Sequence, residues 1–370
     1  MQFEVAKQSL LKAISNVSGA VERKNTIPVL QNIKIEAQKT QEGDKVILSA
    51  TDMDILVTAT FEADMKKSGV TTVPAQMFFD IVRKIPEGAI MISQESPTIL
   101  QIKSGKSKYS LPCIDAAEFP NLSEGELGEE IEIKSEDLMK MIDKTRFAIS
   151  NDETRYYLNG LFFQAFQKDE KIEIRTVATD GHRLALSFLD SDLTKPFGII
   201  IPRKSVNEIR RIIEGAKKIK IAVSRAKIKI IADKSTIVSK LIDGEFPDYD
   251  KVLPKNNTHW ALVNRKIFFD CVDRVSPVAS DKHRSVKVIV ENGKMSLQVG
   301  SDENSLAFEE LDVNYSGERI ETGFNSRYLL DIIAQIDKEE LIIRFRDGMS
   351  PALIEAQDMN SVYVIMPVRV

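Results

Sequence analysis

The chain has 370 residues, of which 43% are hydrophobic and 29% are charged, and its formal net charge is −4. This length exceeds the size at which single hydrophobic cores stop growing, so we expect two or three domains. The acidic balance excludes a protein that is basic over its whole surface, so any nucleic-acid contact must concentrate positive charge on one face.

The sequence shows no targeting or membrane segment. No apolar run approaches the roughly 20 residues needed to cross a bilayer. Residues 1–5 enter an alternating strand pattern directly, without the basic and apolar regions of a signal peptide. Cys113 and Cys271 lie in apolar contexts and are expected to be buried, reduced thiols. We therefore expect a cytoplasmic protein that has no membrane partner.

In chain order, the first predicted unit is a short strand followed by an amphipathic helix, and it occurs three times. Residues 3–14, 131–142 and 260–271 align at offsets of 128 (131 minus 3) and 129 (260 minus 131). Each begins with alternating apolar residues, and each continues with apolar positions at helical spacing, as Leu10 and Ile14 show. Each copy therefore predicts a helix with one buried face.

A second strand-to-helix unit recurs inside each copy, at residues 73–81, 201–209 and 324–332. Pro74 and Pro202 fit the start of a helix, where no backbone N–H is needed. Between the helices, short runs alternate at period two, which predicts antiparallel strands. The patterns predict an α+β fold of three topologically similar domains, each with two helices packed on antiparallel sheets.

Two polar stretches with few apolar residues separate the copies. They are residues 123–128 and 254–257, and such stretches are typical of domain boundaries. We therefore expect three domains, at 1–125, 129–254 and 258–370.

A hydroxyl residue followed by aspartate occurs once in each copy, directly after an apolar run. The pairs begin at Thr51, Thr179 and Ser301, and side chains of this kind cap turns. Only the middle copy adds His182 and Arg183 to the loop. Because we interpret the shared pair as scaffold, these two residues are the candidates for function.

Asp180 and His182 also allow a different interpretation, a hydrolase in which they form a general-base unit. However, His259 and His283 lie in unrelated contexts, and no nucleophile signature accompanies the pair. No second histidine or cysteine stands at ligand spacing, so neither a metal nor a cofactor is expected. A third interpretation is a repeat-built interaction protein without a role on DNA.

Five stretches carry a resemblance along the whole chain. They are residues 25–30 (NTIPVL), 155–160 (RYYLNG), 178–185 (ATDGHRLA), 244–249 (GEFPDY) and 363–370 (YVIMPVRV). In this order they resemble the bacterial DNA sliding clamp family, the beta subunit of DNA polymerase III. The resemblance implies two chains closing head-to-tail into a ring around duplex DNA. It also implies a replication processivity factor, with no catalytic site of its own, that slides without sequence specificity.

Helix packing is consistent with a ring of two chains. Two helices in each of three domains make six per chain, and packed helices lie about 10 Å apart. Six helices on a circle enclose a hole of roughly 9 Å, and twelve enclose roughly 28 Å. Duplex DNA is about 20 Å across, so only the homodimer leaves enough room.

In the family, the middle-copy loop and the chain end border an apolar cleft that binds short linear peptides of the replicative polymerase, the clamp loader and repair proteins. The residues that the resemblance assigns to this partner-peptide cleft are Leu158, Thr179, Gly181, His182, Arg183, Leu184, Pro247, Lys251, Val252, Asn325, Tyr328, Met349, Pro351, Val364, Met366, Pro367, Val368 and Arg369. The chain departs from common family residues at Lys251, His283, Val368 and Val370. Its preference for particular apolar anchors therefore stays open.

The resemblance places basic helix residues at the hole, where they would attract phosphates. The DNA contacts that it implies are Lys24, Arg155, Tyr156, Tyr157, Arg203 and Lys204. The alternative is that the basic residues form solvated helix faces and that the tyrosines pack against the sheet.

The resemblance also implies the subunit contact. An edge strand with Lys108, Tyr109 and Leu111 is expected to pair with a strand of the partner chain near Val278 and Leu306. The alternative is an ordinary interior strand.

Overall fold

The computed structural model describes residues 1–22, 26–41, 43–122, 127–169, 171–191, 193, 195–279, 284–300, 305–357 and 359–369. The chain divides into two compact units. Unit 1 contains Met1–Met139 and Lys204–Leu241, and unit 2 contains Lys140–Arg203 and Ile242–Val370. Within the described ranges, no helix is both long and apolar enough to span a membrane.

The three copies follow one order of elements. The first copy contains β1 (Gln2–Ala6), α1 (Lys7–Ser18), β2 (Asn32–Thr40), β3 (Gly43–Thr51), β4 (Ile55–Glu62), β5 (Asp64–Lys67), β6 (Gly69–Pro74), α2 (Ala75–Lys84), β7 (Ala89–Ser96), β8 (Ile99–Ser104) and β9 (Ser107–Pro112). The second contains β10 (Ile131–Lys134), α3 (Ser135–Thr145), β11 (Gly160–Lys168), β12 (Lys171–Thr179), β13 (Arg183–Ser191), β14 (Phe197–Pro202), α4 (Arg203–Ile212), β15 (Lys218–Val223), β16 (Lys227–Ala232) and β17 (Ser235–Lys240). The third contains β18 (His259–Asn264), α5 (Arg265–Val275), β19 (Ser285–Glu291), β20 (Lys294–Gly300), β21 (Leu306–Asp312), β22 (Ile320–Asn325), α6 (Ser326–Ile333), β23 (Glu340–Phe345), β24 (Ala352–Glu355) and β25 (Ser361–Ile365).

The predicted α+β fold of three similar copies is confirmed, because each copy carries two helices on antiparallel strands. One detail of the prediction shifts by a residue. Pro74 and Pro202 are the last residues of β6 and β14, and the helices begin at Ala75 and Arg203. Proline still fits there, because its N–H is not required by the helix that follows.

The helices bury the faces that their sequence periodicity indicates. In α1 the buried residues are Leu10, Ala13, Ile14 and Val17. Burying a leucine or isoleucine side chain stabilises the fold by about 1.5–3 kcal/mol. At the end of the helix, Ser18 Oγ donates a hydrogen bond to the Ile14 carbonyl at 2.5 Å.

The strands of the described ranges form four antiparallel sheets. Unit 1 contains an eight-stranded sheet, β10-β15-β16-β17-β4-β3-β2-β6, and a five-stranded sheet, β5-β1-β7-β8-β9. Unit 2 contains an eight-stranded sheet, β14-β11-β12-β13-β25-β24-β23-β18, and a four-stranded sheet, β21-β20-β19-β22. Each eight-stranded sheet therefore combines strands of two consecutive copies.

Equivalent strands make the joins within the two eight-stranded sheets. The last strand of the second copy, β17, pairs with β4 of the first copy, and Ile237 lies opposite Val57. The last strand of the third copy, β25, pairs with β13 of the second, and Tyr363 lies opposite Ala185. The remaining strands of these two types, β9 and β21, lie at sheet edges.

Candidate functional site

The loop between β12 and β13 is held by its threonine and its aspartate. Thr179 Oγ1 accepts the N–H of Gly181 at 3.1 Å. Asp180 Oδ1 accepts the N–H groups of His182 and Arg183 at 2.9 and 3.0 Å. These bonds satisfy the backbone where the chain reverses between strands.

The equivalent loop of the first copy has the same hydrogen bonds. Thr51 Oγ1 accepts the N–H of Met53, and Asp52 Oδ1 accepts those of Asp54 and Ile55. Met53 and Gly181 both have a positive φ, of 83° and 88°. The turn-capping role predicted for the Thr-Asp pair is thus confirmed in two copies. The third pair, at residues 301 and 302, lies outside the described residues.

Arg183 is buried, and its guanidinium is bound on all sides. Its Nε donates to Asp180 at 3.1 Å, its Nη1 to Asp331 at 2.6 Å and its Nη2 to the Phe147 carbonyl at 2.9 Å. The group also lies over the rings of Phe147 and Tyr328, at 5.0 and 4.4 Å from their centroids. Arg183 therefore ties the loop to α6, and its charge is already engaged.

His182 is exposed and forms part of the surface. Its ring stacks on Tyr328 with the centroids 6.3 Å apart, and its carbonyl accepts the Met366 N–H at 2.8 Å. Burial raises the pKa of the Tyr328 hydroxyl. Asp180 binds backbone amides and Arg183 rather than the imidazole. The carboxylate is thus engaged in holding the loop, which does not favour the general-base interpretation.

An apolar cluster lies beside this loop. Its buried members are Leu158, Val177, Leu184, Leu186, Ile200, Phe246, Tyr249 and Val364, and Tyr157, Phe162, Phe188, Ile242, Val252 and Leu253 pack against them. The structure therefore brings together four residues that the resemblance assigned to the cleft: Leu158, Leu184, Val252 and Val364. Such a cluster offers a non-polar surface for the side chains of a ligand.

The segment 246–252 borders the cluster. Phe246 is buried and stacks on Phe162 with the ring centroids 4.7 Å apart, whereas Pro247 and Lys251 are exposed. Lys251 pairs with Asp248 at 2.8 Å, and this bond raises the pKa of the lysine.

The chain end and the start of α6 lie on another side of the loop. Met366, Pro367 and Val368 are half-buried, and Arg369 is exposed. The Val368 N–H donates to the Gly323 carbonyl at 2.9 Å. Val370, one of the positions where the chain departs from the family, lies outside the described residues, as does His283.

Three of the assigned residues play roles that their sequence positions did not indicate. Asn325 caps α6, because its Oδ1 accepts the N–H groups of Arg327 and Tyr328. Met349 is 75% exposed, and the carbonyl of Pro351 accepts a hydrogen bond from Asn257. Neither Met349 nor Pro351 belongs to the apolar cluster.

The basic and aromatic segment at 155–157 touches the same loop. The Nη1 atom of Arg155 lies 2.6 Å from the position that a Cβ on Gly181 would occupy. Arg155 Nε also donates to Asp152 at 2.9 Å. Tyr156 is 54% exposed, whereas Tyr157 packs on the apolar cluster. Of the two tyrosines, Tyr156 is the more exposed, and Tyr157 is half-buried.

Arg203, the first residue of α4, holds the backbone that precedes this segment. Its guanidinium binds the carbonyls of Ile149 and Ser150 and the side chain of Asn151. Burial lowers its pKa.

Lys204 forms ion pairs with Asp52 at 2.5 Å and with Glu22 at 3.2 Å. Burial lowers the pKa of Lys204 and the bond to Asp52 raises it, and the net shift is upward. The ion pairs offset much of the charge that the sequence assigned to DNA. Lys24 lies outside the described residues.

Other helix cations differ in how they are paired. Arg274 makes a two-point contact with Glu309, and Arg211 binds Glu208 and the carbonyl of Asn16. Within the described ranges, three exposed lysines on α1, α2 and α3 have no ion pair: Lys12, Lys84 and Lys140.

Both strands assigned to the subunit contact are edges. On β9, Lys108 is exposed and Leu111 is buried. On β21, Leu306 and Phe308 are 85% and 61% exposed. Val278 is half-buried in the turn that follows α5. Among the strands that the structure describes, β9 is therefore an edge strand and not an interior one.

The described residues contain no group of three or more His, Cys, Asp or Glu side chains that could hold a metal ion. Cys271 is buried, Cys113 is half-buried and both are free. Burial raises the pKa of both thiols, which keeps them in the unreactive protonated form.

Three family models match the chain almost from end to end. They describe the N-terminal, central and C-terminal domains of the DNA polymerase III beta subunit, and they match residues 1–123, 132–248 and 250–369. The chain is 40% identical over 378 residues to the beta sliding clamp of Caulobacter vibrioides. It is 33% identical over 373 residues to that of Escherichia coli. Each alignment covers 100% of both proteins.

Solved structures show the same similarity. The pol III beta structure of Caulobacter crescentus superposes with a TM-score of 0.94 at 40% identity, covering 100% of both chains. A sliding clamp from Bartonella birtlesii bound to griselimycin gives a TM-score of 0.94 at 39% identity, and one from Pseudomonas aeruginosa bound to the same compound gives 0.95 at 33%. Both alignments cover 100% of each chain.

Proposed function

The chain belongs to the DNA polymerase III beta subunit family, the bacterial sliding clamps, and from this premise we propose that two copies close head-to-tail into a ring around duplex DNA. A sliding clamp is a processivity factor of DNA replication rather than a catalytic enzyme. The observation that carries the proposed ring is that, in the described part of the chain, β9 and β21 each lie at the edge of a sheet. We place its action in the cytoplasm, where bacterial DNA lies.

The joins inside the chain suggest how these edges pair. β9 is the counterpart of β17, and β21 is the counterpart of β4, in a chain where β17 and β4 already pair antiparallel. One chain offers one edge of each type. Two chains arranged head-to-tail would pair both sets, and no edge of either type would stay open.

The same correspondence predicts the register of the seam. A hairpin turn precedes both β17 and β9, and the two turns match at an offset of 128 (235 minus 107). The capped loops relate β4 to β21 at an offset of 250 (301 minus 51). Because Ile237 lies opposite Val57, Tyr109 of one chain is expected opposite Ala307 of its partner. Lys108 is likewise expected opposite Phe308.

The side-chain faces agree with this register. Tyr109 lies opposite buried Ile102 on the neighbouring strand, and Ala307 lies opposite buried Val299, so both point to a core face. A slip of one residue would instead set core-facing side chains opposite exposed ones. Closing the seam would also cover Phe308, which is 61% exposed in the single chain.

DNA binding by the ring needs phosphate attraction without base readout. We assign this attraction to Arg155, Arg203, Lys204 and the residues near them, with Tyr156 available to stack on an unpaired base. Because Lys204 is paired with Asp52 and Glu22, a phosphate must compete with two carboxylates for it.

The apolar cluster and the loop bearing His182 are proposed to bind short linear peptides of the replicative polymerase, the clamp loader and repair proteins. The support for this proposal is the cluster of buried apolar side chains that includes Leu158, Leu184 and Val364, with exposed His182 beside it. Relatives of this chain have been solved with griselimycin, a peptide-like inhibitor. A site that accepts apolar anchors beside a few polar groups fits such ligands.

Disulfide trapping tests the seam. A chain carrying Tyr109→Cys and Ala307→Cys should form a cross-linked species of twice the 41.6 kDa chain mass under oxidising conditions, because paired antiparallel residues have Cα atoms about 4.5–5.5 Å apart. The matched control pairs Ser110→Cys with Ala307→Cys, one residue out of register. Cross-linking of the control but not of the first pair would overturn the register, and a monomer in solution would overturn the ring.

Retention on DNA tests the function itself. A ring that is loaded onto a nicked circle and then cross-linked at its seams should stay bound until the circle is linearised. A repeat-built interaction protein without a DNA role would show no such dependence on DNA ends.

A further inference from the structure

A buried polar network lies beneath the segment that borders the apolar cluster. Arg175 on β12 has a side chain that is 9% exposed. Its Nε and Nη2 donate to Glu173 Oε2 at 3.0 and 2.8 Å, and its Nη1 donates to the Tyr249 hydroxyl at 3.1 Å. That hydroxyl in turn donates to Gln164 Oε1 at 2.8 Å. Both hydrogen-bonding roles of the hydroxyl are therefore used.

The guanidinium of Arg175 has little freedom to move. It lies over the ring of Phe166 with Cζ 3.6 Å from the centroid, and its Nη1 is 3.5 Å from Asp250 Oδ1. A planar group with fixed donors, held by a carboxylate on one side and a ring on one face, keeps one orientation. The Tyr249 hydroxyl is thus held at a defined point above β12.

Tyr249 transmits this placement to the wall of the cleft. Its ring is 5% exposed and belongs to the apolar cluster. Its carbonyl accepts the Val252 N–H at 2.9 Å in the short turn that also contains Lys251. Pro247 precedes it by two residues. The network therefore holds in place the segment that contains three residues assigned to the cleft: Pro247, Lys251 and Val252.

The pair of Arg175 and Tyr249 is confined to the middle copy. In the first copy, β3 aligns with β12 at the offset of 128, so Ile47 occupies the position of Arg175. Leu122 occupies the position of Tyr249, because each lies three residues after the phenylalanine of a Phe-Pro pair. In the third copy, Leu297 shares the face of Glu309 that contacts α5, and the residue on the face that corresponds to Arg175 is Ser296. Neither of those copies has a charged residue at this position, so the sheet itself does not require the guanidinium. Replacing a whole buried ion pair by apolar residues is often neutral for stability, whereas removing only one partner is costly.

From this geometry we propose that Arg175 is a positioning residue for the partner-peptide cleft: by holding the hydroxyl of Tyr249, it sets the placement of residues 247–252 and hence the affinity for peptide ligands. The inference rests on the proposed function of the cleft. It adds that a buried side chain outside the apolar cluster sets the affinity of the cleft.

Griselimycin binding to the full-length protein tests the proposal. Tyr249→Phe removes only the hydroxyl, and it should weaken griselimycin binding about tenfold, equivalent to ~1.4 kcal/mol. Arg175→Met should weaken it to a similar degree, and the double variant should be no weaker than either single variant, because both act through one contact. Amide hydrogen exchange at 250–253 should be faster in each variant.

A matched control separates positioning from general destabilisation. Ile174 neighbours Arg175 on β12 and is buried on the opposite face of the strand. Ile174→Val should lower the melting midpoint without changing the affinity for griselimycin or the exchange at 250–253. If Tyr249→Phe does not fold, Gln164→Met removes the other partner of the hydroxyl and should weaken binding about threefold, or ~0.65 kcal/mol.

The outcomes distinguish the two proposals. Wild-type protein that does not bind griselimycin overturns the peptide cleft itself. Wild-type protein that binds, together with Tyr249→Phe and Arg175→Met variants that bind equally well, overturns the positioning role and leaves the cleft intact. Loss of affinity in Ile174→Val equal to that in Tyr249→Phe also overturns it, because the effect would then be general.

Discussion

Replacing Arg183 by methionine should destabilise unit 2 and loosen the loop that carries His182. The methionine keeps the aliphatic stem and removes the guanidinium, so Asp180, Asp331 and the Phe147 carbonyl each lose a donor. Breaking a buried ion pair on one side costs about 3–5 kcal/mol. Because the side chain of Asp331 is 35% exposed and can be rehydrated, the lower end of that range, about 3 kcal/mol, is expected.

Differential scanning calorimetry gives the readout. For a unit of this size, about 3 kcal/mol corresponds to a fall in the melting midpoint of about 6–12 °C. Asp331→Asn keeps a hydrogen-bond acceptor and loses only charge, so it should cost about 1 kcal/mol. The two changes should be strongly non-additive, because they act on one contact. The matched control is Lys251→Met, which breaks an exposed pair with Asp248 and should leave the melting midpoint nearly unchanged. Each kcal/mol lost should lower the melting midpoint by about 2–4 °C. If the midpoint of Arg183→Met lies within about 1 °C of that of the control, the guanidinium does not hold the loop.

Three further predictions concern the loops and the DNA surface. Gly181→Ala should cost more stability than Gly215→Ala in thermal melts: both have a positive φ, but an added Cβ meets Arg155 only at Gly181, so equal costs of about 1 kcal/mol would exclude that contact. The pKa of Asp347 is lowered to about 2, first by the Ser350 hydroxyl and then by the Met349 N–H. Since the folded pKa lies below the unfolded one, the stabilisation is complete above about pH 4 and is lost as pH falls through about 2. NMR of the Met349 amide should show this transition, and Asp347→Asn should remove it. Replacing Lys12, Lys84 and Lys140 together should lower the log–log salt slope of duplex binding by up to about 5 per ring, at about 0.9 per phosphate contact. An unchanged slope would exclude them as phosphate contacts.

Local patterns in the sequence predicted most of the fold. Helical spacing placed Leu10 and Ile14 on the buried face of α1, and the Thr-Asp pairs predicted the capped loops, because both depend on neighbours a few residues away. The order of motifs identified the family, and the cleft residues Leu158, Leu184 and Val364 do meet in one cluster.

Contacts between distant residues could not be predicted in the same way. Arg183 is predicted to line the cleft, and its contact with Asp331, 148 positions away, could not be inferred from sequence spacing. Arg175 sits in an alternating run of charged and apolar residues that is typical of a strand with one solvated face, and only the covering segment with Tyr249 shows that this face is closed. Lys204 was expected to face DNA as an available charge, and its pairing with Asp52 could not be read from spacing. The predicted boundaries 1–125, 129–254 and 258–370 stay a prediction.

The joins between β17 and β4 and between β13 and β25 mean that the sequence repeat is not an independently excisable piece of protein. A truncation after the first copy would remove β17, the pairing partner of β4. A fragment that contains only the second copy would have two unpaired strand edges, at β17 and at β13. Unmatched backbone of this kind promotes aggregation. Fragment studies and protein-engineering efforts should therefore cut the chain so that each eight-stranded sheet remains whole, even though the amino-acid pattern invites a division into thirds.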